Sequence, residues 1–249
     1  MVGKNAGNVA NVKETLVENG FSLVKSSPDL VICIGGDGTF LYAERKYPSA
    51  PKLLIRDSDI CKKCNVDLLT DVLHQLKSRE LDIEEHMKLA ARVIRKGRTF
   101  ATRECANDIV LRNRHLPEAV RFAVSIDGKD VDGELIGDGV IIATPFGSTA
   151  YFYSITRKTF RKGIGIAFNN TTRQIAPIIV GPGSTILIRL LRKDADLAFD
   201  NDPDILRLRQ GDAIEIKKSK APARIVKIKR PRIGLLHWVR KRWGRRQSM

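Results

Sequence analysis

Four cysteines in 249 residues, Cys33, Cys61, Cys64 and Cys105, are too few and too scattered for a secreted disulfide scaffold. Cys61 and Cys64 have redox or zinc spacing. A zinc site takes about four ligands, however, and with no second such pair and only His74 and His86 nearby, a local disulfide or two inert thiols is the expectation. No apolar run approaches the roughly 20 residues of a membrane helix, and Met1 to Ala10 lack a charged-then-apolar leader, so a cytoplasmic protein is expected. There is no Walker loop of Gly, four residues and Gly-Lys-Ser/Thr, so any ATP is handled without that cradle. The protein-kinase motif set is missing too. Glycine spacing from Gly35 to Gly38 does not match the dinucleotide fingerprint, which disfavours hydride transfer. Nothing repeats at a fixed period.

Acidic residues are missing from one stretch of the chain. A formal net charge of +16 taken alone points to a nucleic-acid partner. Yet no Asp or Glu follows Glu215, whereas thirteen of the 44 basic residues do, from Lys217 to Arg246. The 31 basic and 28 acidic residues up to Glu215 leave that part at only +3. A nearly neutral body with a basic tail argues against nucleic acid as a partner. Trp238 and Trp243 lie among the tail arginines and suit a stacking arm for a polyanion. The preferred reading is that Gly234 to Trp243 forms a short amphipathic helix whose Leu235, Trp238 and Val239 fold back on the N-terminal domain.

What is present suffices for a sizeable core, with 43% hydrophobic residues. Val9 to Asn19 has helical apolar spacing and stops at Gly20. Asp29 to Ile34 reads as a buried strand, Phe40 to Lys46 as a helix ended by Pro48, and Lys52 to Ile55 as a second strand. Val66 to Leu76 is an amphipathic helix. This alternation predicts an α/β domain with a parallel sheet. From about Met87 the pattern changes to short strands: Leu89–Ile94, Ile109–Arg112, Ala119–Ile126, Val140–Ala143, Ile178–Val180 and Thr185–Leu190, with a hairpin turn at Asp127-Gly128. A mostly β second domain follows, with a boundary near Leu81 to His86. The expected division is an α/β domain over residues 1–85, a β-sandwich over 86–228 and a basic tail over 229–249.

Two segments carry chemistry. An apolar strand runs into Gly35-Gly36-Asp37-Gly38-Thr39, where the glycines let backbone approach an anion and Thr39 can cap a helix whose first N–H groups bind phosphate. Asp37 would repel that phosphate unless it holds a metal ion or takes a proton from an attacking hydroxyl. The plainer alternative is an ordinary strand-to-helix turn in which Asp37 bonds backbone. The second segment, Ile136 to Tyr151, is a strand entering a hydroxyl-rich turn. Thr144, Ser148, Thr149 and Ser154 suit a base edge and ribose hydroxyls, with Ala150 and Tyr151 as contact surface. Simple helix capping by Ser148 or Thr149 is the alternative.

Taken in order, Gly35 to Thr39, Asn107-Asp108 before Ile109-Val110, and Asp138-Gly139 through Thr144-Pro145-Phe146-Gly147-Ser148-Thr149-Ala150-Tyr151 resemble the motif series of the NAD kinase family. The likeness continues through Ile178 to Val180, Leu197 to Asp200 and Gly211 to Ile216. It implies an N-terminal α/β domain, a C-terminal β-sandwich and an active site in the crevice between them. It further implies Mg²⁺-dependent transfer of a phosphoryl group from ATP or polyphosphate to the 2′-hydroxyl of NAD's adenosine ribose. In that reading Asp37 approaches the 2′-hydroxyl, while Gly35, Gly36, Gly38 and Thr39 face donor phosphates and Mg²⁺, with no resident metal site. Asn107 and Asp108 bind the NAD ribose, and Thr149, Ala150, Tyr151 and Ser154 read adenosine. Asp200 is a further ligand-side acid. Asp138 reaches a neighbouring subunit's ligand, which implies a homodimer or homotetramer.

Three departures stand out from that pattern. Asp108 occupies a position where the family usually has Glu, Arg56 to Cys61 replaces a glycine-rich turn, and Ile155 to Lys162 replaces Gly-Gly-Pro after Ser154. The cations Arg157, Lys158, Arg161 and Lys162 there either meet substrate phosphates or form a solvated face. A lipid or sphingoid kinase shares the glycine-Asp-glycine turn, but its support stops at Gly38.

Overall fold

The computed structural model describes residues 1–3, 6–56, 69–78 and 81–228. Cys61, Cys64, the start of the expected helix at Val66 and the Gly234–Trp243 segment lie outside them.

Val31–Gly35 is apolar over four successive positions because both of its faces are covered. Val31 and Cys33 pack with Phe40, Leu41 and Ala43 of the helix Asp37–Lys46. On the opposite face Ile32 and Ile34 pack with Leu16 of the helix Ala6–Glu18 and with Leu73 and Leu76 of the helix Leu69–Ser78. The sheet runs Val2–Gly3, Val31–Gly35, Lys52–Arg56, Ala223–Lys227, Asp82–His86. Its first four strands are parallel and the last is antiparallel. The strand Ala223–Lys227 departs from the expectation of a sandwich running to residue 228. Its alternation explains the return: Ala223 and Ile225 fill the core on one face of the first sheet, and Val226 with Ile228 fill the other.

The chain leaves this sheet after His86 and re-enters it at Ala223. Between these points lies a sandwich of two six-stranded sheets. One is ordered Ile178–Val180, Ile164–Asn169, Gly139–Ala143, Asp108–Asn113, Ala195–Phe199, Leu206–Leu208. The other is ordered Arg98–Cys105, Leu89–Arg95, Ala213–Lys218, Ile186–Arg192, Val120–Ile126, Lys129–Gly137. Every pairing in both sheets is antiparallel. Alternate residues such as Leu89, Ala91 and Val93 meet Ile109, Leu111 and Leu197 in one core. At the expected hairpin Asp127 and Gly128 have φ of 51° and 82°, the twofold positive φ of a type I′ turn, between Val120–Ile126 and Lys129–Gly137. The architecture is an α/β N-terminal part and a β-rich C-terminal part.

Candidate active site

The glycine turn is shorter than its sequence implies. Val31–Gly35 ends at Gly35, Gly36 alone bridges in extended conformation (φ −107°, ψ −166°), and the helix begins at Asp37 rather than Phe40. Asp37 thus sits in the first helical turn, where a carboxylate is favoured by the helix dipole. Gly35 has φ of +149°, and a Cβ there would lie 2.4 Å from Thr39 Oγ1. Only glycine lets Thr39 fold back beneath the turn. The Thr39 hydroxyl is buried and has no hydrogen-bond partner among the described residues, an unusual state for such a group.

Opposite the turn, Ala106, Asn107 and Asp108 are drawn around one carboxylate. Asp200 Oδ2 accepts from Ala106 N at 2.8 Å, and Oδ1 accepts from Asn107 N at 2.7 Å and Asp108 N at 3.2 Å. Asp200 itself has φ of 50°, and its N–H donates to Asp108 O at 3.0 Å. Burial pushes the Asp200 carboxyl above its ordinary range, against the pull of the three N–H groups and Arg45. Thr144 closes the same knot, its hydroxyl donating to Ala106 O at 2.6 Å and accepting from Gly147 N at 3.0 Å. Gly147 lies so close that a Cβ would fall 2.2 Å from Asn107 O.

Thr144 and Ser148 therefore differ from expectation. Thr144 is fully buried with its hydroxyl engaged by backbone, and buried Ser148 shares its single O–H between Pro145 O at 2.8 Å and Phe160 O at 3.1 Å. Both hydroxyls thus bond backbone carbonyls, and Ser148 also borders the second cavity described below. Ser154 is exposed, donates back to Tyr151 O at 2.7 Å inside the helix Tyr151–Thr156, and borders neither of the two cavities described below. Asp200 likewise holds backbone, although it also borders the cavity described next.

That cavity, about 480 Å³, has a floor made by the outward residues Asp108, Val110 and Arg112 of one strand and Asp196 and Ala198 of its neighbour. Asn107, Ala150 and Tyr151 wall it, together with Leu41 of the glycine-turn helix. Asn107 Oδ1 is a buried acceptor without a partner among the described residues. Asn201 lines the cavity too, and its Nδ2 donates to Gly38 O at 2.9 Å. Arg45, on the same helix as Asp37, reaches Asn201 Oδ1 at 3.4 Å and Asp202 Oδ1 at 3.5 Å. Phe40 and Phe146 rings meet at 5.1 Å. The glycine turn and the Thr144–Tyr151 turn, far apart in sequence, are thereby neighbours.

Thr149 is exposed and borders a second cavity of about 390 Å³ with Phe146, Phe160, Arg161 and Lys227. Lys227 is shared there with Glu84 at 3.4 Å. Arg157, Lys158 and Lys162 are exposed, and Arg157 ends the helix in a left-handed conformation with its guanidinium 5.8 Å from the Tyr153 ring. Asp138 lies at the far end of Gly139–Ala143 from Thr144, its carboxylate accepting from Asn170 Nδ2 at 3.3 Å, and borders neither cavity. Leu41, Arg112, Asp196 and Asn201 are cavity residues that sequence reading missed. Asn201 alone had a signal, since it follows Asp200 directly.

No helix among the described residues is long and apolar enough to cross a membrane. No group of three or more His, Cys, Asp or Glu among them could hold a metal ion. Residues 106–228 match the sequence profile of the ATP-NAD kinase C-terminal domain. An NAD kinase of Sulfurisphaera tokodaii is 32% identical over 230 residues, covering 88% of this chain and 88% of that protein. An NAD kinase of Magnetococcus marinus is 30% identical over 208 residues, covering 80% of this chain and 68% of the other. Among solved structures, an Archaeoglobus fulgidus NAD kinase in complex with ATP superposes with a TM-score of 0.74 at 20% identity, covering 96% of each chain. Yeast NADH kinase complexed with NADH gives 0.73 at 20% identity, covering 96% of this chain and 78% of the other.

Proposed function

Because the chain belongs to the NAD kinase family, we propose that it is a cytoplasmic enzyme that moves the terminal phosphoryl group of ATP or polyphosphate onto the 2′-hydroxyl of NAD's adenosine ribose, giving NADP. One observation carries the reading: the helix bearing Asp37 is bonded through Gly38 O and Asn201 to the rim of the cavity walled by Asn107, Asp108, Ala150 and Tyr151. Acceptor and phosphate site are then adjacent, which is most of what phosphoryl transfer asks of a protein. In the cavity the unpartnered Asn107 Oδ1 takes a hydrogen bond from adenosine and Asp108 one from a ribose hydroxyl, while Tyr151 offers ring surface.

Asp37 orients the 2′-hydroxyl. As the new O–P bond forms and the bond to the leaving phosphate breaks, the hydroxyl proton passes to the carboxylate and on to water. A carboxylate is a weak base near neutral pH, so this transfer is late and alignment is the larger contribution. Mg²⁺ fits as a companion of the donor rather than as a resident ion. It keeps several waters and needs only one or two protein carboxylates beside phosphate oxygens, and Asp37 with the orphan hydroxyl of Thr39 offers such a partial set. When bound, the ion neutralises charge on the transferring group. Asp138, remote from the cavity, suits a contact with a neighbouring subunit's ligand in a homo-oligomer. The sequence units 1–85, 86–228 and 229–249 enter this scheme as phosphate-turn domain, NAD domain and tail, with the return of Ala223–Lys227 to the first sheet locking the first two together.

The test is purified protein with Mg²⁺, NAD and either ATP or polyphosphate, reading NADP formed. Asp37→Asn is expected to lower kcat by about 10²- to 10⁴-fold while NAD affinity stays within a few-fold. Near-normal turnover in that variant would remove Asp37 from the mechanism.

A further inference from the structure

The helix Asp37–Lys46 carries Asp37 at one end and a buried charge at the other. Glu44 is 4% exposed, and its carboxylate accepts from Lys52 Nζ and, at 3.1 Å, from Lys88 Nζ. Lys88, 3% exposed, also meets Glu104 Oε2 at 2.8 Å. Glu104 Oε1 in turn accepts from Ser219 Oγ at 2.6 Å, and Ser219 N donates to Lys88 O at 2.8 Å.

The chain positions of these residues give the network its meaning. Lys88 lies between Asp82–His86 of the first sheet and Leu89–Arg95 of the sandwich. Ser219 lies between Ala213–Lys218 of the sandwich and Ala223–Lys227 of the first sheet. Both crossings between the two units therefore meet in one bonded group, to which the Asp37 helix is attached by Glu44. A buried charge network is a poor source of stability, because desolvation offsets the attraction and well-packed apolar residues do as well. What it supplies is a fixed angle between its members.

We propose that Lys88 is a positioning residue for phosphoryl transfer, holding the helix of Asp37 at a set inclination to the cavity by bonding Glu44 across the inter-domain crossing. This rests on the reading of Asp37 given above. Asp37 and Glu44 are seven residues apart, about 10 Å along a rigid helix, so a small tilt at Glu44 displaces Asp37. A misplacement of about 1 Å at a reacting centre can cost about 10²-fold in rate. The outer contacts Asn201 to Gly38 and Arg45 to Asp202 are more exposed; at the buried end Lys52 ties Glu44 to the first sheet, and Lys88 ties it to the inter-domain crossing.

Lys88→Met removes the inter-domain bond yet leaves Lys52 its counter-charge on Glu44, and leaves the 40% exposed Glu104 its bond to Ser219. In steady-state NADP formation its kcat is expected to fall about 10- to 100-fold, with KM for NAD within about twofold of wild type. Lys88→Arg, which keeps a cation in reach of both carboxylates, is expected to recover at least about half of wild-type kcat. A wild-type kcat in Lys88→Met overturns the assignment, as does a loss carried by KM that Lys88→Arg does not restore. Wild-type protein that forms no NADP with either donor instead overturns the functional reading itself. If circular dichroism shows Lys88→Met unfolded, Glu44→Gln, which removes the charge that Lys88 bonds, is judged by the same kcat and KM criteria.

Discussion

Asp200 bears most directly on how single residues of the site are to be understood. Its motif context implied an acid on the ligand side, whereas its carboxylate accepts three successive backbone N–H groups from Ala106, Asn107 and Asp108. Three converging donors shape the strand entry on which Asn107 and Asp108 stand, so under the proposed function the residue acts on NAD through the wall it holds. Asp200→Asn separates the two roles. The amide keeps one acceptor oxygen but turns an N–H₂ toward a backbone N–H, leaving at least one buried donor unsatisfied. Relief of the cost of burying a charge works in the opposite direction. The lost bonds dominate, since an orphaned buried donor costs about 1–3 kcal/mol. Chemical denaturation should show a loss of that size along with weaker NAD binding. Weaker binding at unchanged stability would mean that Asp200 serves the ligand alone. Cys33 and Cys105 are inert by the same physics: burial pushes Cys33 up to about 12 and Cys105 well above its ordinary value, so neither supplies a thiolate.

Among the elements, the turn from Thr144 to Thr149 joins the two walls of the cavity, and Gly147 sets their separation. A Cβ at Gly147 would stand 2.2 Å from Asn107 O and 2.6 Å from Asn107 Cα, both backbone atoms that cannot rotate away. Gly147→Ala should therefore push the turn off the Asn107 strand, at a cost of about 1–3 kcal/mol for overpacking. Because the wall of Ala150 and Tyr151 moves with it, KM for NAD is expected to rise about tenfold or more, with kcat at saturating NAD changed less. An unchanged KM in the folded variant would show that the two walls bind independently. This turn also marks where sequence reading reached its limit. The strand Val31–Gly35, the helix after it and the Asp127-Gly128 hairpin follow from local pattern: an apolar run, glycine permissiveness and paired positive φ. The backbone partners of Thr144 and Ser148 were not legible because a hydroxyl's partner depends on what tertiary packing brings beside it, here Ala106 O and Phe160 O, and composition is the same either way. Arg98–Cys105 escaped notice because most of it is exposed and it lacks an apolar alternation.

For the molecule as a whole, the sequence conveyed two architectural classes but not that the chain's last described strand belongs to the first of them. An apolar alternation such as Ala223 to Ile228 specifies a strand, and only the vacant place between Lys52–Arg56 and Asp82–His86 specifies which sheet. Two carboxyls, one within the sandwich and one at the crossing, have an electrostatic consequence. Burial pushes Asp212 up, but the Arg95 guanidinium at 2.7 Å and Arg209 N at 2.8 Å pull it below its ordinary range. Glu104 at the crossing is likewise raised by burial and brought down further by Lys88 and Ser219. A carboxyl whose folded pKa is depressed contributes stability present above its unfolded value, about 4, and lost as pH falls through the folded value. Asp200, raised on folding, has the opposite sign: its contribution is present at low pH and lost as pH rises. Asp127, at the hairpin, is also held below its ordinary range by the backbone N–H of Thr185 and by Ser184. With three depressed carboxyls against one raised, and a chain already at +16 gaining charge on acidification, stability should fall on the acid side. Thermal melts between about pH 7 and pH 3 test the part due to Asp212. Asp212→Asn should melt below wild type near pH 7, and the gap should narrow as pH falls past the unfolded value of about 4, where the unfolded carboxyl takes up its proton before the native one does. A gap that stays constant across that window would show that the Arg95 pair does not govern the acid limb.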